Sequence, residues 1–409
     1  MAPRCLLAAT AALVAVAHVS AFAPSASLLG RAPALRGMAT SPRVRPAGGL
    51  RMGLFDGLTD AIKKGMETPA PEGAGSSELD DYTGFILKEG MRSFTFDNRM
   101  SAPIGAVGSY SIAGQRAPSG AAAAAPKPQG WSPFGFLQAS GNKIVRANKE
   151  NQDGIIVKPN LYDGVSLFCV FDGHGDNGAD ISEWAENNLP IFMTEALKQG
   201  RAGELLNRIT DAYRQCDAKL TEDFGYEFVE DSGTTVATVL IKGDLMLVAG
   251  LGDSRVVMGL EEEGSLGAQA LTLDQSPNVA AERKRIEAAG GEVRGEGPVG
   301  RVYAAGQKFP GLAISRAFGD ADGKKIGVTC DPQFIGWKIR QDCDWVVVAA
   351  SDGVWNAIGN ENVIEICSRY RDTKNAEFAS KEIVETARKV WEAVAKGRID
   401  DITATVIFL

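Results

Sequence analysis

The feature that most restricts the fold is an apolar run, residues 166–171, that stops abruptly at Asp172-Gly173-His174-Gly175-Asp176. The run reads as a buried strand. A carboxylate at a strand end can hold a cation, and Gly173 lets a backbone carbonyl approach that cation because no Cβ intervenes. His174 can move a proton near neutral pH. The other histidine, His18, lies near the start of the chain. The tetrapeptide Asp172-Gly173-His174-Gly175 is equally at home in an ordinary turn, so the rest of the chain has to decide between the two.

From about residue 135 onward the pattern is globular. Strands are expected at 154–157, 166–171, 234–241, 245–250, 255–259, 344–350 and 402–409, and helices at 180–198, 202–223, 280–289, 360–370 and 376–394. In the last helix Phe378, Ile383, Val384, Ala387, Val390, Trp391 and Val394 fall near helical spacing, so one face is buried. Lys242-Gly243-Asp244 marks a hairpin. Strands come in adjacent groups and helices in pairs. That order argues for an α+β fold of antiparallel sheets covered by helices and against a doubly wound sheet.

Acids gather at the strand ends: Asp153, Asp172, Asp253, Asp352 and the Asp400-Asp401 pair. One acid at the end of a strand is ordinary. A recurring set, followed by Gly, Ser or Gly-His, points to a cation site. Hard divalent cations such as Mg²⁺ and Mn²⁺ prefer carboxylate, carbonyl and water oxygens. A carboxylate cluster with one histidine and no cysteine argues against zinc. The six cysteines show no CxxC pair and read as reduced thiols, several of them in the core.

Eight stretches occur in a telling order: Asn151-Gln152-Asp153; Val170-Phe171-Asp172-Gly173-His174-Gly175; Ser232-Gly233-Thr234-Thr235; Gly252-Asp253-Ser254-Arg255; ERKRIEAAGGEV at 282–293; LAISRAFGD at 312–320; ASDGVW at 350–355; and DDIT at 400–403. Together they resemble the type 2C (PPM-type) metal-dependent serine/threonine protein phosphatases. Any one is modest, but eight in order across 140–409 are specific. The resemblance implies a four-layer αββα sandwich, two antiparallel β-sheets flanked by helices, with the metal site at one end between the sheets. It implies hydrolysis of phosphoserine and phosphothreonine in phosphoprotein substrates by direct attack of a water bridging two divalent cations, Mg²⁺ or Mn²⁺, with a weaker third cation. Carried onto this chain, Asp172 bridges the two cations and Gly173 gives one a carbonyl. Asp352 and Asp400 hold the other, Asp153 acts through bound waters, and Asp253 with Asp352 completes the weaker third site. His174 is the general acid toward the departing serine or threonine oxygen.

Ser315-Arg316 and Phe318-Gly319-Asp320 are taken as a structural ion pair near the site. Residues 274–311, with several glycines, correspond to a mobile, substrate-selecting loop. The chain departs from the family pattern at four places. Gln152 replaces a common glutamate. Asn148 stands at the position of the phosphate-binding arginine, which leaves Lys149 or Arg146 for that task. Asp176 adds charge after His174, and Asn356 stands where an additional acid often helps a metal. A pseudophosphatase, the same fold used as a regulatory binding module, would lack the core carboxylates; Asp172, Asp352 and Asp400 are all present.

The N-terminal part differs in kind. Residues 1–55 contain no Asp or Glu; Arg4, an apolar run and small residues give way to a segment rich in Ala, Ser, Pro and Arg. A signal peptide followed by a transit peptide, with Phe22 just after the cleavage site, resembles the bipartite leader of complex plastids. The alternative is a secretory signal that leads to the endomembrane system or outside the cell. Residues 56–139 read as a largely disordered linker, and no regular structure is expected over 67–135. No stretch is expected to span a membrane. The net charge of −8 argues against general nucleic-acid affinity, and a monomer is expected.

Overall fold

The computed structural model describes residues 85–87, 104–114, 151–198, 204–295, 300–394 and 399–409. The strands are β1 (Phe85–Leu87), β2 (Ala106–Ile112), β3 (Asp153–Tyr162), β4 (Val165–His174), β5 (Gly233–Lys242), β6 (Leu245–Leu251), β7 (Arg255–Glu262), β8 (Ser265–Ala270), β9 (Gly291–Arg294), β10 (Arg301–Ala304), β11 (Pro310–Leu312), β12 (Phe318–Gly319), β13 (Gln333–Lys338), β14 (Asp344–Ala350) and β15 (Ile402–Phe408). One sheet runs β1-β13-β6-β5-β4-β3, with β12 paired to β5; the other runs β2-β15-β14-β7-β8. Pairing is antiparallel except between β1 and β13. The expected α+β sandwich of two antiparallel sheets flanked by helices is the fold observed.

The apolar run of β4 explains the layering. Side chains alternate along a strand. Val165, Leu167, Cys169 and Phe171 pack with Ile181, Leu189 and Met193 of the Gly178–Lys198 helix and with Ile209 and Tyr213 of the Leu205–Phe224 helix. Phe168 and Val170 point the other way, onto Val256, Met258, Val347, Ala349 and Ile407 of the second sheet. Both faces are therefore covered, which is why the run has no polar alternation. Each side chain of this size contributes about 1.5–3 kcal/mol through burial. The Ala376–Val394 helix covers β2 and β15, and the Asn360–Ser368 helix covers β8. Among the described residues no helix is long and apolar enough to cross a membrane, and the described cysteines are free thiols.

Two expectations change. Residues 67–135 hold regular structure at β1 and β2, and β2 pairs along its whole length with β15. Its small and hydroxylated residues gain their order from that partner: Ser109 and Ser111 hydrogen-bond Thr405 and Thr403 at 2.9 and 2.6 Å. The glycine-rich segment 274–311 is also more than a loop. Beyond the expected helix, observed at Ala280–Ala288, it contains β9 and β10, which with β11 build a small sheet over a core of Ile286, Val293, Val302, Leu312 and Val328.

Candidate active site

Antiparallel neighbours bring the start of one strand beside the end of the next. Asp153 at the start of β3 thus pairs in register with Asp172 near the end of β4. Asp253 sits in the β6–β7 turn, Asp352 follows β14, and Asp400 precedes β15. All five acids named from the sequence reach the same rim, where the two sheets meet. Ser351 joins the sheets there: its hydroxyl donates to Asp153 Oδ2 at 2.9 Å and accepts from the Thr403 N–H at 3.0 Å. The Asp352 N–H approaches Asp172 Oδ2 at 3.4 Å, and Asn356 donates to Asp352 Oδ2 at 3.0 Å. Gly173 permits no other residue, since a Cβ would lie 2.5 Å from both the Gln152 and Gly178 carbonyl oxygens. Lys149 and Arg146 lie outside the described residues.

The rim is electrostatically unbalanced. Burial, then the charges of Asp352, Asp153, Asp400 and Asp253, hold the Asp172 pKa well above the usual carboxylate range. Asp352 is raised in the same way, by burial and then by Asp400 and Asp253. Burial pushes Asp153 up to about 7, with Asp401 adding to it against hydroxyl hydrogen bonds. Asp253 rises to about 6 through burial and the Asp274 charge. Asp153 Oδ1 is buried with no hydrogen-bond partner. Among the described residues no three such side chains already close round a common point as a finished cation cage. The donors are nonetheless carboxylate oxygens crowded together, with one buried oxygen unanswered. That donor set fits a hard divalent cation.

His174 faces a different partner from the rim acids. Its Nε2 lies 2.7 Å from Asp320 Oδ2, and Asp320 is fully buried. Burial alone would lower the imidazole pKa; the charge and hydrogen bond of Asp320 outweigh it, and the pKa is raised. Asp320 was not legible as this partner, being 146 residues away. The anticipated pairing within 315–320 is replaced: Arg316 binds Glu282 through two hydrogen bonds of 3.0 and 2.5 Å. Gly233, part of the Ser232-Gly233-Thr234-Thr235 motif, gives this pair its room. A Cβ there would lie 2.7 Å from Asp320 Oδ2 and 3.0 Å from His174 Nε2. Asp401, neighbour of Asp400, spends its carboxylate on the backbone, accepting from Gly114 and Gln152 N–H groups at 2.6 and 3.1 Å.

Acids from both sheets at one rim, with a histidine–aspartate pair beside them, make a site suited to phosphoryl hydrolysis, and the chain's relatives agree. Residues 137–392 match the family model described as Protein phosphatase 2C. The chain belongs to the protein phosphatase 2C family. It is an enzyme, a hydrolase of the protein serine/threonine phosphatase class. The probable protein phosphatase 2C 72 of Arabidopsis thaliana is 34% identical over 289 residues, covering 66% of this chain and 83% of that protein. The probable protein phosphatase 2C 65 of the same plant is 32% identical over 283 residues, covering 63% and 73%. Among solved structures, the serine-threonine phosphatase 2C from Toxoplasma gondii superposes with a TM-score of 0.59 at 21% identity, over 77% of this chain and 97% of that one. This last likeness bears on the fold.

Proposed function

We propose that this phosphatase hydrolyses phosphoserine and phosphothreonine in phosphoproteins with Mg²⁺ or Mn²⁺ held at the acidic rim. The observation that carries the reading is the convergence of Asp153, Asp172, Asp253 and Asp352, each raised above the usual carboxylate range by burial and by neighbouring acids. When bound, two such cations supply Lewis acidity toward the phosphoryl oxygens and lower the pKa of water. Asp172, the Gly173 carbonyl, Asp352 and Asp400 are the residues that would hold them, with Asp153 acting through water and Asp253 serving a weaker third site. His174 gives its proton to the departing serine or threonine oxygen, and Asp320 fixes the ring and keeps it charged. Lys149 or Arg146 contacts the phosphoryl group. Asn356 already hydrogen-bonds Asp352 and brings no charge of its own, which supports weaker cation affinity than an acid would give.

A phosphothreonine-peptide assay with Mg²⁺, Mn²⁺ or chelator tests this. Turnover that survives complete chelation would overturn the cation requirement. Silence with either cation would favour a binding module instead. His174→Gln should slow phosphopeptides about 10²-fold or more and spare activated aryl phosphates; an equal loss on both would remove the general-acid role.

We also propose that residues 1–55 direct the chain to a plastid, on the strength of their acid-free, two-part composition. A reporter fused to residues 1–60 should enter the plastid, and its secretion would support the simpler signal-peptide reading.

A further inference from the structure

The Asp320 carboxylate reaches His174 from an unusual backbone. Gly319 and Asp320 both have positive φ, 77° and 50°. A non-glycine residue in this region carries a cost of about 1–3 kcal/mol and persists only where its surroundings enforce it. The enforcement is visible. The Gly319 N–H donates to Asp217 Oδ1 at 2.9 Å. Lys324 Nζ donates to the Gly319 carbonyl at 2.5 Å and also to Asp217 Oδ1. Asp217 lies on the Leu205–Phe224 helix and is 8% exposed. The Asp320 N–H donates to the Ser232 carbonyl at 2.9 Å, and the Asp320 carbonyl accepts from the Lys324 N–H at 3.0 Å.

We propose that Asp217 and Lys324 are positioning residues: together they clamp the two peptide groups that flank Gly319 and so aim Asp320 at His174. The hydrogen bonds and ion pair of these two residues go to Gly319 and to each other, not to a rim acid. The pair acts through Asp320 alone, by fixing where that carboxylate stands. Asp217 holds the peptide group that enters Gly319 by its N–H and Lys324 holds the one that leaves it by its C=O, and charged partners fix these two planes more tightly than neutral ones would. The kinetic consequence rests on the general-acid reading of His174; the geometric one does not.

The test compares the full chain with His174→Gln, Asp217→Ala, Asp217→Asn, Lys324→Met and Lys324→Arg. A ring proton that His174 shares with Asp320 should give a downfield proton resonance, identified by its loss in His174→Gln. With native near-ultraviolet circular dichroism, Asp217→Ala should lose this resonance and Lys324→Arg should keep it. Where Asp217→Ala does not fold, Asp217→Asn and Lys324→Met carry the same readout. Persistence of the resonance in the folded variants would overturn the clamp. In kinetics, Asp217→Ala should lower kcat for a phosphothreonine peptide about 10–100-fold with KM unchanged, and should spare an activated aryl phosphate. Its loss should not add to that of His174→Gln. Equal losses on both substrates in Asp217→Ala, while His174→Gln discriminates, would overturn the clamp. Equal losses in His174→Gln itself would remove the general-acid role, and the resonance would still decide the clamp.

Discussion

Glu282 and Asp172 are both acids withdrawn from water in the same domain, and their surroundings are opposite. Glu282 is 1% exposed and meets Arg316, Arg285 and the Ser315 hydroxyl at 2.5–3.0 Å. Burial alone would raise its pKa, but Arg316 and Arg285 outweigh this and hold it at about 2. Asp172 meets Asp352, Asp153, Asp400 and Asp253, and its pKa is driven up. Where the chain needs a buried acid for architecture it supplies the cation itself. At the rim the neighbours of the buried acids are mainly other acids, which add to burial instead of offsetting it.

The largest effect should come from Asp172→Ala. Phosphopeptide turnover with Mn²⁺ should fall by more than about 10³-fold, because an interaction worth several kcal/mol to the transition state goes with the carboxylate. Stability without added cation should not fall, since repulsion is relieved. Near wild-type turnover would erase the distinction between the two acids. Glu282→Gln should do the reverse. Leaving Arg316 buried and unpaired should cost about 3–5 kcal/mol in urea unfolding, and a change below about 1 kcal/mol would show that the pair is dispensable.

Added Mg²⁺ or Mn²⁺ should stabilise the wild-type chain by about 2.7 kcal/mol at a hundredfold excess over Kd, and should do little for Asp172→Ala. Equal stabilisation of both would place the cation elsewhere. The smallest effect is in the acid limb. The folded pKa of Glu282 lies below its ordinary value of 4.5. Its stabilising contribution is therefore complete above about pH 4.5 and is lost as pH falls toward about 2, with a slope of at most ~1.4 kcal/mol per pH unit. A Glu282→Gln chain should lack that slope in denaturation measured across this range.

The rim acids were legible in the sequence because an apolar strand ending in Asp-Gly is a local signal, and antiparallel order carries such ends to one edge. The long strands and helices were legible for the same reason: β14 and the Ala376–Val394 helix begin and end where periodicity places them. What escaped was non-local or short. Asp320 finds His174 through a fold-dependent meeting that no spacing announces. Strands β9 to β11 are three or four residues long, too brief to show a period. In β13, Gln333-Phe334-Ile335-Gly336-Trp337-Lys338 does alternate in burial, but glycine at an inward position blurs the pattern. In β2 the outward and inward residues are all partly buried, so no hydrophobic contrast marks the strand.

Strand β2 also bears on where the catalytic body begins. It lies outside the family-matched segment, as do β15 and Asp400-Asp401, yet β2 zips onto β15, and Gly114 just beyond it holds the Asp401 carboxylate. The smallest piece of this chain with an intact second sheet therefore runs from β2 to β15, closed by joining an N-terminal ribbon to the final strand. Proteolytic trimming of the N-terminus must stop before Ile104 to leave that closure standing. A fragment cut to the boundaries of sequence similarity would lose β2, β15 and Asp400 together and leave β14 as the bare edge of the second sheet.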